Sequence, residues 1–405
     1  MMRQSRRGGR VQRVVIVLSL MWCFAVVVMA QPAGLEPGEA EARERAPTSP
    51  LITQWTHPQA EVRGIWLASR DMLLPKDQLR EKLDAIQSAN FNIVLIDSLF
   101  RGYVAYPRST HLPQYPQFDG EDVFGWLVEQ CHQRGLRAGA WMEYGFYAYF
   151  TPDASNDASM GPILDMHPEL LSINFNGDRY IHRNFGDFYS LCPSNPRSHE
   201  ILAQIMVEAV TKYPVDELNL DRIRYAGGDY CYCDHCRTHF HRETGIVLRP
   251  FSPDSDEAAK WLAWKREQTA KAVEHIVNAV RQAVPSLPIT AYVVGPDEMN
   301  DKAQGWDLWM QRDLLDGIAV SMYGAEIESA AARARQLLGP AQAKLIGAIS
   351  CEQQTKVFLS NIQRTRQLGM IGQYTWHFGE VADDIEALRE GPYGKPAEPS
   401  LHPRR

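Results

Sequence analysis

Apolar residues recur along this chain in two alternating rhythms. Short runs that are apolar at most positions fall at residues 62–68, 92–98, 136–145, 217–225, 288–294, 316–323, 344–351 and 370–377. Between them, apolar residues return at the spacing of one helix face, over 77–89, 123–134, 199–213, 261–284, 306–315, 329–338 and 361–368. A strand that is apolar throughout is covered on both faces, which marks a parallel sheet. Eight such strands alternating with helices predict a single α/β domain, a closed (β/α)8 barrel of TIM type, over 59–390. No glycine-rich phosphate loop follows the first strand, which argues against a dinucleotide-binding fold. Two connections break the rhythm. One is a long insertion after strand three, rich in aromatic residues, and the other is a cysteine-rich loop after strand four.

The ends read differently. Arg3, Arg6, Arg7, Arg10 and Arg13 precede an apolar run from Val14 to Ala30, which ends on small residues before Gln31. That order predicts a signal peptide over 1–30, with an uncleaved membrane anchor as the alternative, and hence a secreted or periplasmic protein. Residues 31–58 carry Ala, Glu, Pro and Arg with no hydrophobic period and predict a flexible linker. A proline-rich tail over 391–405 predicts disorder. The net charge is −7, and it becomes more negative once the leader arginines are removed. An acidic chain without basic clusters makes a poor nucleic-acid binder. No other apolar run predicts a membrane span, and the oligomeric state is left open.

The barrel prediction tells where chemistry belongs, because active residues of this fold sit at the C-terminal ends of strands. Asp97 ends strand two, Glu143 strand three, Asp221 strand four, Tyr323 strand six and Glu352 strand seven, with Trp376-His377 closing strand eight. Glycoside hydrolysis needs two carboxyl groups flanking the scissile bond. In Leu218-Asn219-Leu220-Asp221, alternation sets the leucines on one face and Asn219 with Asp221 on the other, toward the barrel axis. Arg222 and Arg224 follow and are expected to keep Asp221 ionised; a structural Asp–Arg pair is the competing reading. Glu143 shares its face with Trp141, a ring that can stack on a pyranose and raise a carboxyl pKa by desolvation. A loop-fixing glutamate is the bland alternative there, a solvated side chain is the alternative for Glu352, and a salt bridge to Arg101 is the alternative for Asp97. The aromatic insertion, from Tyr144 to Tyr189, either walls a sugar cleft or forms a small core of its own.

Cys231, Cys233 and Cys236 lie within six residues, with His239 and His241 behind them. Two readings stand side by side: a structural zinc site of Cys231, Cys233, Cys236 and His239, or a disulfide, with Cys192 as a partner. Either would brace the loop behind Asp221. Cys131 and Cys351 read as ordinary core residues.

Four stretches resemble one family. Glu61-Val62-Arg63-Gly64-Ile65-Trp66-Leu67 is similar to its opening strand, and Trp141-Met142-Glu143-Tyr144-Gly145-Phe146 to its third strand end. Leu191-Cys192-Pro193-Ser194-Asn195-Pro196 resembles the turn before a helix, and the run from Val215 to Asp221 the fourth strand. Together, over roughly residues 60–380, they resemble the glycosyl hydrolase-like family 10 proteins, barrels with presumed cell-wall or other polysaccharide substrates. The resemblance implies Glu143 and Asp221 as catalytic carboxylates. Two places depart from the family pattern: Arg222 stands where many members have a second Asp, and Cys192 replaces another.

The expectation is therefore an exported glycoside hydrolase acting on a polysaccharide, with Asp221 as nucleophile or base, Glu143 as acid and Glu352 as a further candidate. Asn219, Arg224, Trp141, Tyr144, Tyr323, Trp376, His377 and Asp97 would line the sugar site. No organic cofactor is implied. A carbohydrate-binding barrel without catalysis is the rival, and Arg222 is the feature that favours it.

Overall fold

The computed structural model describes residues 50–323 and 327–401. The expected signal peptide and the linker up to residue 49 lie outside the described residues. Eight parallel strands close into a barrel: β1 (Val62–Leu67), β2 (Ile93–Asp97), β3 (Arg137–Met142), β4 (Glu217–Leu220), β5 (Ile289–Val293), β6 (Gly317–Ser321), β7 (Leu345–Ser350) and β8 (Gly372–Trp376). Each lies beside its sequence neighbours, and β8 returns to pair with β1 through Val62↔Gly372 and Ile65↔Thr375. This is the predicted TIM-type barrel.

The longer helices outside it are α1 (Lys76–Ser88), α2 (Val123–Gln133), α3 (Pro196–Lys212), α4 (Asp234–Thr244), α5 (Asp256–Ala283), α7 (Ile327–Leu338) and α8 (Thr355–Gln367), with the short α6 (Trp306–Gln311) between α5 and α7. Start signals set their first turns. Asn195 accepts a hydrogen bond from Arg197 N at 3.0 Å ahead of Pro196, and Ser255 accepts from Ala258 N at 3.1 Å ahead of α5. Helix α4 was not predicted; its few apolar residues, Cys236 and Phe240 buried among them, give little period to read. Among the described residues no helix is long and apolar enough to cross a membrane.

Two apolar clusters follow from the closure. One lies between strands and helices. The other fills the barrel, from Val62 and Leu401 at the N-terminal end to Trp141, Tyr323 and Trp376 at the C-terminal mouth. The insertion after β3 forms a three-stranded antiparallel sheet of Tyr147–Thr151, Gly186–Ser190 and Ile181–Arg183. Its aromatics mostly build a core of their own: Phe188 packs on Phe150 at 5.0 Å and on Phe185 at 6.0 Å between ring centroids.

The chain ends correct the composition reading. Residues 50–58 lie against α8, where Ser360 Oγ accepts from Ile52 N at 2.9 Å and Gln363 Oε1 from Thr56 N at 2.9 Å. The tail is ordered structure as far as Leu401 and plugs the bottom of the barrel. Its carbonyls accept from Arg63 (Lys395 O, 2.7 Å), Asn90 (Tyr393 O, 2.7 Å) and Asn92 (Ala397 O, 3.1 Å). Tyr393 is fully buried under the Arg63 guanidinium. Proline content gave an appearance of disorder, but donors on β1 and in the turn ahead of β2 are paired with these carbonyls.

Candidate active site

Alternation along each strand carries side chains of the last turn to the mouth. Asp97, Glu143 and Asp221 follow one another at the ends of β2, β3 and β4, which are neighbours in the barrel. The backbone here is tight. A Cβ at Gly145 would strike the carbonyl oxygen of Asp221, and Phe146 N donates to Arg222 O at 3.0 Å. Arg222 adopts φ 49°, a left-handed conformation uncommon outside glycine. That turn sends its side chain back over strand three, where Nη1 lies 2.9 Å from Glu143 Oε1. The guanidinium also stacks on Tyr144, 4.7 Å from the ring centroid.

The three carboxyl groups differ electrostatically. Asp97 is fully buried and its pKa is pushed well above the usual range, first by burial and then by the Glu143 charge and a hydrogen bond to it. Arg222 also approaches Glu143. Asp97 Oδ2 also accepts from Ser69 N at 3.3 Å. Arg101 does not bridge to it, as the sequence had suggested, but lies over Phe100 and Phe150. Asp221 accepts from Arg222 N at 2.5 Å and from Trp141 Nε1 at 3.2 Å. Burial pushes its pKa up to about 6, against the opposing pull of Arg222 and Arg224. The two arginines lower the pKa as expected, but desolvation outweighs them and the net shift is upward.

An aromatic wall stands beside these groups. Trp141 meets Trp376 edge-on at 5.9 Å and Trp66 at 6.3 Å, while Tyr323 stacks on Tyr292 at 6.0 Å. Trp66 and Tyr292 were missed in the sequence, although the alternation that picked out Trp141 also turns Trp66 of β1 and Tyr292 of β5 inward. Tyr144 belongs instead to the core under the insertion, against Phe100 and Phe188. Arg224 is buried, with its guanidinium 5.7 Å from the Tyr147 ring.

Asn219 does not line a sugar site. It is fully buried; its Oδ1 accepts from Trp66 Nε1 at 3.1 Å and its Nδ2 donates to Thr290 Oγ1 at 2.8 Å. Thr290 in turn donates to Glu217, which also accepts from Tyr374 OH at 2.5 Å. This relay runs through the barrel interior and satisfies polar groups there. Glu352 sits in a separate cluster across β7 and β8, with Oε1 3.3 Å from His377 Nε2. Burial holds His377 below the ordinary imidazole pKa; its Nδ1 accepts from Gly379 N at 3.0 Å, and Arg70 Nη2 lies 2.5 Å from Nε2.

Of the sulfur groups, Cys231, Cys233 and Cys236 come together as expected, but the fourth member is Cys192. His239 is excluded: its Nδ1 faces His235 O at 3.0 Å and its ring stacks on His235 at 3.8 Å. Cysteines 192, 231, 233 and 236 are free thiols, so the disulfide alternative is not what the structure shows.

A TIM barrel with carboxyl groups and tryptophans gathered at its C-terminal mouth has the build of a glycoside hydrolase. The family model for glycosyl hydrolase-like 10 matches residues 61–350, and the chain belongs to that family. Among curated proteins, glycosyl hydrolase DigH of Escherichia coli O6:H1 is 22% identical over 377 residues, covering 81% of this chain and 78% of that protein. Among solved structures, the PgaB (BpsB) glycoside hydrolase domain of Bordetella bronchiseptica superposes with a TM-score of 0.61 at 16% identity, over 82% of this chain and 98% of that one. The catalytic domain of a Paenibacillus polymyxa β-amylase gives 0.60 at 11% identity, over 82% and 95%. At these identities the structural likeness shows the fold.

Proposed function

We propose that this is an exported glycoside hydrolase that cleaves O-glycosidic bonds of a polysaccharide, bacterial cell-wall glycan being the favoured class. Asp221 carries the reading. It is a buried carboxyl whose pKa is pushed up to about 6 beside the indole of Trp141. A carboxyl that keeps its proton up to about pH 6 and is placed at a strand end suits the general acid that protonates a leaving glycosidic oxygen. Glu143, 2.9 Å from Arg222 Nη1, is the second carboxyl group that an oxocarbenium-like transition state calls for. The roles are thus exchanged relative to the sequence expectation. Trp141, Trp376 and Tyr323, nearly buried at the mouth, are the rings a sugar would meet there. A groove of about 720 Å³ between Tyr180, Arg183, Gly228 and Asp301 gives a long glycan room beside the loop after β4. No organic cofactor enters this chemistry.

The test is release of reducing ends from a polysaccharide panel that includes peptidoglycan glycan strands, with Asp221→Asn alongside. Activity that the variant loses supports the reading and names the substrate class. A second reading, a carbohydrate-binding barrel without catalysis, draws on one observation: Arg222 occupies the position after Asp221 and engages Glu143. Sugar binding with no release from any polymer would establish that reading instead.

A further inference from the structure

Six described cysteines are all buried, and two of them, Cys131 and Cys351, lie apart in a helix and behind a strand. The other four converge on one point. The sulfur atoms of Cys192, Cys231, Cys233 and Cys236 all lie within 4.8 Å of one another. Cys192 Sγ is 3.5 Å from both Cys236 Sγ and Cys233 Sγ. A disulfide requires about 2.05 Å, whereas the edge of a tetrahedron with 2.3 Å metal–sulfur bonds is roughly 3.8 Å. Thiols placed only as small apolar fillers have no reason to meet four at a time.

We propose that Cys192, Cys231, Cys233 and Cys236 bind one zinc ion as a closed tetrathiolate site, which locks the active-site loop to the insertion. This stands independently of the catalytic reading. Local sequence explains the ligand geometry. Cys233 caps α4 and Cys236 lies in its first turn, so a spacing of three residues puts both sulfurs on one side of that turn. Cys192 arrives from the turn ahead of α3. A tetrathiolate around a divalent ion keeps a net negative charge, and the surroundings answer it. Ser194 Oγ lies 3.1 Å from Cys192 Sγ and 3.0 Å from Cys236 Sγ, where its hydroxyl can donate to sulfur. The N-terminal turn of α4 adds its positive dipole end. Lys265, buried on α5, donates to Gly228 O at 3.2 Å and Tyr230 O at 3.1 Å just ahead of Cys231.

The knot reaches the catalytic residues through backbone. Arg222 O accepts from Phe146 N at 3.0 Å, Phe146 O accepts from Leu191 N at 2.8 Å, and the next residue is Cys192. From the other side, the segment from Ile223 to Tyr230 joins Arg222 to Cys231. Fixing the four sulfurs fixes both segments that hold Arg222 against Glu143.

Elemental analysis of the purified mature chain, prepared without added metal, tests the site. The expected result is one equivalent of zinc. A mercurial should release the ion as it consumes four thiolates. Cobalt exchanged into the protein should show the intense visible bands and thiolate charge transfer of a tetrahedral sulfur site. Cys192→Ser should lower bound zinc and melting temperature, while Cys131→Ser should leave the zinc content unchanged. Wild-type protein free of zinc, with an intact mass lower by four hydrogens, would overturn the proposal in favour of two disulfides. One equivalent of iron in place of zinc would overturn the identity of the metal. Because the elemental and mass measurements use the wild-type chain, a Cys192→Ser protein that fails to fold leaves them decisive.

Discussion

Both ends of the barrel bury a glutamate against arginine, yet the two pairs are built differently. At the bottom, Glu61 accepts from Arg63 Nε at 2.7 Å, Arg366 Nε at 2.7 Å, Arg366 Nη2 at 2.8 Å and Gln373 Nε2 at 3.0 Å. Every strong acceptor direction of that carboxylate is used, and the tail closes over it. At the mouth, Glu143 meets the Arg222 guanidinium, lies against Asp97, whose pKa burial and the Glu143 charge push up, and neighbours an Asp221 whose charge is opposed by burial. A saturated carboxylate holds strands together. A close group of three carboxyls, two of them pushed up in pKa by burial and set beside the buried Trp141 and Trp376, has protonation states that a substrate can draw on.

The sharpest way to break this contrast is through activity. Asp221→Asn is expected to lower kcat/KM about 10²- to 10⁴-fold, whereas Arg366→Ala leaves kcat of the folded fraction unchanged. Equal losses from both would show that the mouth has no special role. Stability separates the ends next. Removing one partner of a buried ion pair costs about 3–5 kcal/mol, so Arg366→Ala and Arg222→Ala should both shift urea midpoints strongly, and only Arg222→Ala should also impair turnover.

Asp221 gives a smaller effect with a definite sign. Its folded pKa of about 6 lies above the value near 3.9 expected in the unfolded chain. The folded state then binds the extra proton between these values, and stability falls as pH rises through that window. Asp221→Asn removes the penalty, so the variant should be about 2–3 kcal/mol more stable at pH 8, with the gain gone below pH 4. Denaturant titrations at the two pH values check this, and a variant destabilised at pH 8 would contradict it. Finest of all is Trp141→Phe, which removes the indole donor to Asp221 at 3.2 Å. Loss of a donor to the ionised form raises the pKa. The alkaline limb of kcat/KM, expected near pH 6, should move upward by up to about one unit. An unmoved limb would detach Asp221 from that titration.

How far the chain could be read in advance depended on range. Glu143 and Asp221 were legible because a strand's alternation and its end are local properties. Trp66 and Tyr292 obey the same rule and could have been found by applying it to β1 and β5. Asn219 obeyed it too, yet turned out to be structural, since facing the barrel axis does not say at what height a side chain meets its neighbours. His239 was chosen over Cys192 because nearness in sequence stood in for nearness in space.

The sequence by itself determined the eight-strand rhythm, the order of elements and the placing of carboxylates at strand ends, since each follows from spacing along a single segment. Only the tertiary structure decided that Asp97 is buried against Glu143, that Arg222 turns back onto strand three, that Cys192 completes a cluster of four thiols, and that the proline-rich tail plugs the barrel. Those outcomes depend on closure of the sheet, which brings distant segments together and strips their polar groups of water. Burial and partnership then set the charge states, and neither is a property of one stretch of chain.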